Sequence, residues 1–64
     1  MRIDRIKFSA ELVRQNMTQK DFAQKAGISR VTVNSIKNGR SCSDAVGYKI
    51  AEALGVDISK LLEK

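Results

Sequence analysis

Cysteine, histidine and proline are scarce in this sequence of 64 residues. Cys42 is the single cysteine, and there is no histidine and no proline. One thiol excludes an internal disulfide and a metal site with several cysteine ligands, and such cysteine usage is typical of a reducing intracellular compartment. Without histidine, a nucleophile–base pair is lacking, and no phosphate-binding glycine loop is present. We therefore expect no enzyme, no catalytic residues, no metal and no cofactor.

Long apolar runs and aromatic residues are also lacking. No stretch approaches the roughly 20 apolar residues that cross a bilayer, and the charges at Arg2, Asp4, Arg5 and Lys7 interrupt any apolar leader. We expect a cytoplasmic protein without a membrane partner. Aromatic residues make up only 5% of the chain, so the core must come mainly from Ile, Leu, Val and Ala. The length predicts one domain over residues 1–64, of limited stability unless helices pack closely or subunits pair.

Positive charge is what the chain has in excess. The net charge is +5, and residues 14–40 carry all of it, with six Lys and Arg residues against Asp21 alone. The segments before and after carry +1 and −1. Positive charge concentrated in one segment favours a polyanionic partner. Ordinary solubility charge is the alternative, and charge alone does not decide between the two.

Capping residues and apolar spacing predict an all-α fold of five helices with no strand. The expected N-caps are Asp4, Thr18, Ser29, Ser43 or Asp44, and Asp57. The expected helix ends are Asn16, Gly27, Asn38-Gly39 and Gly55, and the last helix carries Ile58, Leu61 and Leu62. Phe8 and Leu12 form the apolar face of the first helix, with Ile6 and Val13 nearby. Ile6 and Phe8 also alternate with charges, which leaves a short N-terminal strand as the weaker alternative. Gly47 lies inside the fourth helix, where we expect a close approach of another helix.

The second and third helices are joined by a turn of only a few residues, Gly27-Ile28-Ser29. Ala23 is small where the two helices would cross, and Ile28 fills the turn. Val33 and Ile36 hold the third helix on the core. Two short helices that cross at a tight turn are typical of the helix-turn-helix, whose second helix enters the major groove of DNA.

Several spaced motifs in this region resemble a known family. They are Met17–Ala23, Ala26–Ser29, Thr32-Val33, Ile36, Asn38-Gly39, and Ile50-Ala51 with Ala53–Val56. In this order they are similar to the Cro/CI-type (XRE-type, lambda-repressor-like) helix-turn-helix proteins, which include lambdoid phage repressors and many small bacterial regulators. The resemblance extends from about Asp4 to Leu62. It implies a compact five-helix fold with the motif at about 19–38, in agreement with the helices predicted from capping and spacing.

The resemblance also implies roles for individual side chains. Gln19 matches a glutamine that binds DNA phosphate and braces the recognition helix, while Arg30, Val31 and Ser35 match base-contacting positions. Asn38 matches a phosphate contact just beyond the helix. With the neighbouring residues of the motif, the expected base contacts are Ser29, Arg30, Val31, Asn34 and Ser35. The expected phosphate contacts are Gln19, Thr32, Lys37, Asn38 and Arg40.

The chemistry of these side chains is suited to the major groove. An arginine such as Arg30 can donate two hydrogen bonds to guanine O6 and N7, and an exposed Val31 could meet a thymine methyl group. Alternatively, Val31 belongs to the core, and Ser35 is only solvated. Lambdoid repressors read bases with several glutamines in this helix, whereas this sequence has none there. The target sequence of those repressors therefore does not transfer.

The leading hypothesis is a sequence-specific regulator of transcription, a repressor that binds a palindromic double-stranded operator as a homodimer. It would be nucleoid-associated in bacteria or encoded by a phage or mobile element, and no small-molecule ligand is indicated. One alternative is the DNA-binding antitoxin of a toxin–antitoxin pair, although no toxin-wrapping tail is evident. Another is a protein-interaction module that lost DNA binding. The positive charges of Arg30, Lys37 and Arg40 argue against that second alternative.

Overall fold

The structure is a computed structural model that describes residues 1–63. It contains four α-helices, which are Arg5–Arg14 (α1), Gln19–Ala26 (α2), Arg30–Lys37 (α3) and Asp44–Leu54 (α4). The all-α prediction is confirmed, since residues 1–63 contain no strand beyond one isolated antiparallel bridge between Ile3 and Leu62. None of these helices has the length and apolar character needed to traverse a bilayer.

The predicted fifth helix is wrong, because Ile58–Lys60 forms only a single 3-10 turn. Asp57 caps this turn through the backbone N–H of Ser59 (2.9 Å). The chain then leaves the helical path, as the carbonyl of Leu61 accepts from the backbone N–H of Asp4 (2.7 Å). Pairing with the N-terminal segment therefore takes the backbone groups that a further helical turn would need.

The capping residues predicted for the other helices lie at or next to the ends of those helices. Thr18 and Asp21 form a reciprocal capping box at the start of α2, with each side chain bonded to the other's backbone N–H. Ser43, rather than Asp44, is the N-cap of α4. The turn after α2 passes through Gly27 at φ 72°, a left-handed conformation that costs an L side chain about 1–2 kcal/mol. The sequence thus sets both ends of α2 locally.

The core lies between the four helices and is built around two aromatic rings. Phe8 and Phe22 meet edge to face, with ring centroids 5.2 Å apart. The buried apolar residues are Ile3, Phe8, Leu12, Phe22, Ala23, Val33, Ile36, Ile50, Ala51, Leu54 and Leu61. The expectation that Ile6 and Val13 lie near the apolar face of α1 is wrong, since their side chains are 74% and 80% exposed. Because successive residues turn by about 100° on a helix, burying Phe8 and Leu12 directs these two outward.

Gly47 is buried in α4, but another helix is not what approaches it. A Cβ at this position would overlap the side chain of Met1. The Met1 amine donates to the Cys42 carbonyl (2.7 Å), and the Cys42 N–H donates to the Met1 carbonyl (2.8 Å). The N-terminal segment therefore packs on α4 and pairs with the loop that follows α3.

Candidate nucleic-acid interface

The two faces of α3 differ sharply in exposure. Val33 and Ile36 point into the core, where α3 packs against α1 and α2. Arg30, Val31 and Asn34 lie on the outer face, and all three are exposed. Val31 is 77% exposed, so the alternative that placed it in the core is wrong. The outer face of α3 therefore offers a guanidinium, an aliphatic side chain and an amide to an external partner.

The start of α2 lies beside this outer face. Gln19, the first residue of α2, lines a shallow surface hollow of about 270 Å³ together with Arg30, Val31 and Asn34. The short turn between α2 and α3 produces this proximity, because it brings the beginning of one helix next to the exposed flank of the other. Four of the ten predicted contact residues thus share one concave surface.

The side chain of Ser29 is hydrogen-bonded at the start of α3. Its hydroxyl oxygen accepts from the backbone N–H of Thr32 (3.1 Å) and lies 2.9 Å from the Thr32 hydroxyl oxygen. A serine hydroxyl has one donor and two acceptor positions, so the cap and the contact with Thr32 occupy most of its capacity. These two side chains stabilise the first turn of α3, in which Arg30 is the first residue.

The end of α3 turns tightly back on itself. The backbone N–H of Asn38 donates to the Asn34 carbonyl (3.0 Å), and that of Arg40 donates to the Ser35 carbonyl (3.1 Å). Between them Gly39 has a φ of 85°, which glycine adopts readily. The turn keeps Arg40 next to the last turn of α3, with its side chain exposed.

Cations near the outer face of α3 have no acidic partner within the part of the chain that the structure describes. The ion pairs within residues 1–63 join the Met1 amine to Asp44, Arg2 to Glu63, and Arg14 to Glu11. None of them involves Arg30, Lys37 or Arg40. Unpaired cations keep their positive potential available to an anionic ligand.

One cation near this surface was missed by the sequence analysis. The Cδ atom of Arg5, in the first turn of α1, lies 4.0 Å from the position that a Cβ on Gly39 would occupy. This arginine is therefore a neighbour of the predicted phosphate contacts Asn38 and Arg40. More than 30 residues separate Arg5 from this loop, and no local pattern in the sequence links them.

Two other features lie away from α3. A larger hollow of about 350 Å³ lies between α2 and α4 and is lined by Lys25, Ala26, Lys49, Glu52 and Ala53. It contains none of the predicted contact residues, and a duplex needs an exposed surface and not a cavity. Burial raises the pKa of the Cys42 thiol, which disfavours the thiolate that a redox sensor needs.

Comparison with known proteins agrees with this architecture. A helix-turn-helix family model matches residues 9–61. A protein of Methanocaldococcus jannaschii, described as an uncharacterized HTH-type transcriptional regulator, is 40% identical over 47 residues, which are 72% of this chain and 71% of that protein. The aligned region thus covers most of both proteins.

Two solved structures have the same fold within much longer chains. A mutant of hydroxyethylphosphonate dioxygenase matches the whole of this chain with a TM-score of 0.88, and PhpD with cadmium atoms matches it with a TM-score of 0.86. Both are 26% identical to this chain, which corresponds to only 14% of either of them. The similarity is therefore to one small region of those proteins and is no evidence of dioxygenase activity in this chain. The family match, the regulator relative and the helix-turn-helix geometry together show that this chain belongs to the Cro/CI-type (XRE-type) helix-turn-helix family.

Proposed function

We propose that this chain is a transcriptional regulator that places α3 in the major groove of a double-stranded operator. Membership of the helix-turn-helix family and the regulator relative support a DNA-binding regulator, and they favour regulation over catalysis. The observation that carries the proposal is the outer face of α3, where Arg30, Val31 and Asn34 are exposed while Val33 and Ile36 anchor the helix from behind. A helix held in this way can enter a groove without exposing the core.

Base recognition is assigned to the first two turns of α3. Arg30 donates two hydrogen bonds to guanine O6 and N7, a contact worth about 1–3 kcal/mol of discrimination against another base. Val31 packs on a neighbouring thymine methyl group. Asn34 contributes an amide that both donates and accepts. Ser29 and Ser35 have smaller roles, since one caps the helix and the other is half-buried.

Phosphate binding is assigned to residues around the recognition face. These residues are Gln19, Thr32, Lys37, Asn38 and Arg40. Contacts of this kind set the register and orientation of the protein on the duplex without reading its sequence. The position of Gln19 beside Arg30 and Val31 supports a role in fixing α3 relative to the backbone of one strand.

The regulator binds as a homodimer to a palindromic operator and represses by covering the promoter. A single module of this kind buries about 600–1,000 Å² and reads few base pairs, so a second copy supplies the missing affinity and length of site. Dimeric helix-turn-helix proteins read half-sites about one helical turn apart. The chain acts as one domain in the cytoplasm, where the DNA is accessible.

Selection of binding sites from random duplex DNA tests this function. The wild-type chain should enrich a palindromic consensus, and Arg30→Ala should lose preference at one guanine of each half-site. Arg14→Ala is the matched control, because it removes an exposed arginine from α1 that pairs with Glu11. Selected sequences without a consensus would contradict a sequence-specific regulator. A consensus that Arg30→Ala leaves unchanged would contradict the role given to Arg30.

A further inference from the structure

Val31 occupies the most outward position of α3. The buried Val33 and Ile36 anchor this helix, and at about 100° per residue Val31 points almost directly away from the direction midway between them. Its side chain is 77% exposed, and within Arg30–Lys37 no other large apolar side chain is exposed. Val31 therefore lies at the centre of the outer face of α3.

The neighbours of Val31 distinguish it from an ordinary exposed valine. Single exposed apolar side chains are common on protein surfaces, but this one shares its hollow with the hydrogen-bonding side chains of Gln19, Arg30 and Asn34. A side chain branched at Cβ is also held largely in one rotamer within a helix. Val31 thus presents its two methyl groups at a fixed place, in the middle of a polar surface.

A valine side chain can recognise one kind of group on a base edge. It neither donates nor accepts a hydrogen bond, so it does not distinguish donors from acceptors. In the major groove, the apolar group is the methyl on C5 of thymine. 5-Methylcytosine carries the same methyl on the same ring carbon and differs from thymine at ring position 4, where an amino group replaces the carbonyl oxygen. Val31 has the same methyl contact with either base.

We propose that Val31 recognises C5 methyl groups of pyrimidines, so that the DNA targets of this chain include duplexes with 5-methylcytosine in place of thymine. This rests on the proposed function, because α3 must lie in the major groove, and it extends that function to a class of modified DNA. Uracil and unmodified cytosine lack the methyl and bind more weakly. Methylation of a cytosine at this position therefore strengthens binding without a change in base pairing.

Substitution of single bases in one half-site of the selected operator tests the proposal, with affinities from fluorescence anisotropy. Replacing each thymine in turn by uracil locates the base that Val31 meets, and we expect uracil there to weaken binding about fourfold, the value for burying one methyl group. With cytosine at that position and guanine opposite, 5-methylcytosine should bind about fourfold more tightly than cytosine. Both comparisons change one methyl and keep the opposite purine the same.

The variant Val31→Ser should bring both affinity ratios close to one. Serine and valine have similar helix propensities, and a substitution at so exposed a position leaves the core intact. Val13→Ser is the matched control, because it makes the same change at a valine of α1 that is 80% exposed. It should leave both ratios as they are in the wild type.

Failure of this proposal can be told apart from failure of the proposed function. Selection that yields no consensus would contradict both. A consensus without thymine, or one in which uracil replaces every thymine without loss of affinity, would overturn methyl recognition and leave the regulator standing. Ratios that Val31→Ser does not change would assign the methyl to another side chain. A preference for thymine over uracil with equal binding of cytosine and 5-methylcytosine would exclude methylated DNA as a target class.

Discussion

Arg30 and Lys37 are both cations of α3, yet they should contribute differently to DNA binding. Lys37, in the last turn, is assigned to phosphate. Lys37→Ala should weaken binding to all sequences alike and reduce the slope of log affinity against log salt by about 0.9, the value for one neutralised phosphate. Fluorescence anisotropy with consensus and scrambled duplexes over a salt series measures both quantities.

The control for this prediction is Lys49→Ala, which removes an exposed lysine from α4. It should leave the salt slope unchanged, because α4 lies outside the proposed interface. An equal loss of slope for Lys37→Ala and Lys49→Ala would show that only net charge matters. The phosphate contact of Lys37 would then have no support.

The carboxyl group of Asp21 makes the stability contributed by the cap of α2 depend on pH. Its carboxylate accepts from the Thr18 backbone N–H (3.2 Å), and the bonds with Thr18 lower the pKa of Asp21. A carboxyl whose pKa is lower in the folded state than in the unfolded state stabilises the fold above the unfolded pKa. That contribution disappears as the pH falls through the folded-state pKa.

The isosteric change Asp21→Asn tests this contribution. We expect the variant to have a lower Tm than the wild type near about pH 6, and the difference to shrink as the pH falls through the folded-state pKa of Asp21. Circular dichroism melts across this range measure the difference. A difference in Tm that stayed constant down to the acid end would show that the charge of Asp21 does not stabilise α2.

At the scale of helices and loops, Gly47 tests how the N-terminal segment is attached. Alanine inside a helix is favoured over glycine by up to about 1 kcal/mol. Because a Cβ at Gly47 would overlap the Met1 side chain, we expect Gly47→Ala to displace Met1 and to gain less than this amount. Urea denaturation gives the free energy of unfolding.

Hydrogen exchange at Cys42 shows whether the contact of Met1 with α4 is lost, separately from the gain in helix propensity. The Cys42 N–H is bonded to the Met1 carbonyl, so displacement of Met1 should speed its exchange in Gly47→Ala. A full gain of about 1 kcal/mol with unchanged exchange at Cys42 would mean that Met1 does not cover Gly47. The contact between the N-terminal segment and α4 would then be wrong.

Local chemistry explains which elements could be predicted from sequence. The N-caps Asp4, Thr18 and Ser29 and the left-handed Gly27 act within one turn of the residues they organise, and the helices they predict are present. Two incorrect predictions, the fifth helix and a helix packed on Gly47, depended on contacts between distant segments. The fifth helix is limited to one 3-10 turn because the C-terminal segment pairs with the N-terminal one, which no local signal encodes.

The same distinction between local signals and contacts of distant segments applies to the candidate interface. The outward direction of Arg30 and Asn34 could be predicted from the helical spacing of the buried Val33 and Ile36. The placement of Gln19 in one hollow with these side chains agrees with the family resemblance. The nearness of Arg5 to the loop after α3 depends on how α1 crosses the core, so the sequence alone did not indicate it.

At the scale of the whole molecule, exposed positive charge gathers around α3, where Arg30 and Arg40 lie on the surface and Arg5 is close to Gly39. The outer face of α3 combines unpaired cations with polar side chains suited to base edges. Because α3 packs on α1 and α2 through the buried Val33 and Ile36, its outer face remains on the surface of the protein.

The proposed homodimer makes a prediction about operator geometry. In a rigid dimer, the two copies of α3 enter successive major grooves about 10 base pairs apart on one side of the duplex. Insertion of about 5 base pairs between the half-sites rotates one of them to the opposite side, and insertion of about 10 restores the side but adds about 34 Å. We expect both insertions to reduce affinity to that of a single half-site. Anisotropy titrations measure the affinity, and sedimentation velocity gives the number of copies bound. Independent monomers would bind the original operator and both insertion variants equally well. Equal affinities would therefore contradict the dimer but not recognition by α3.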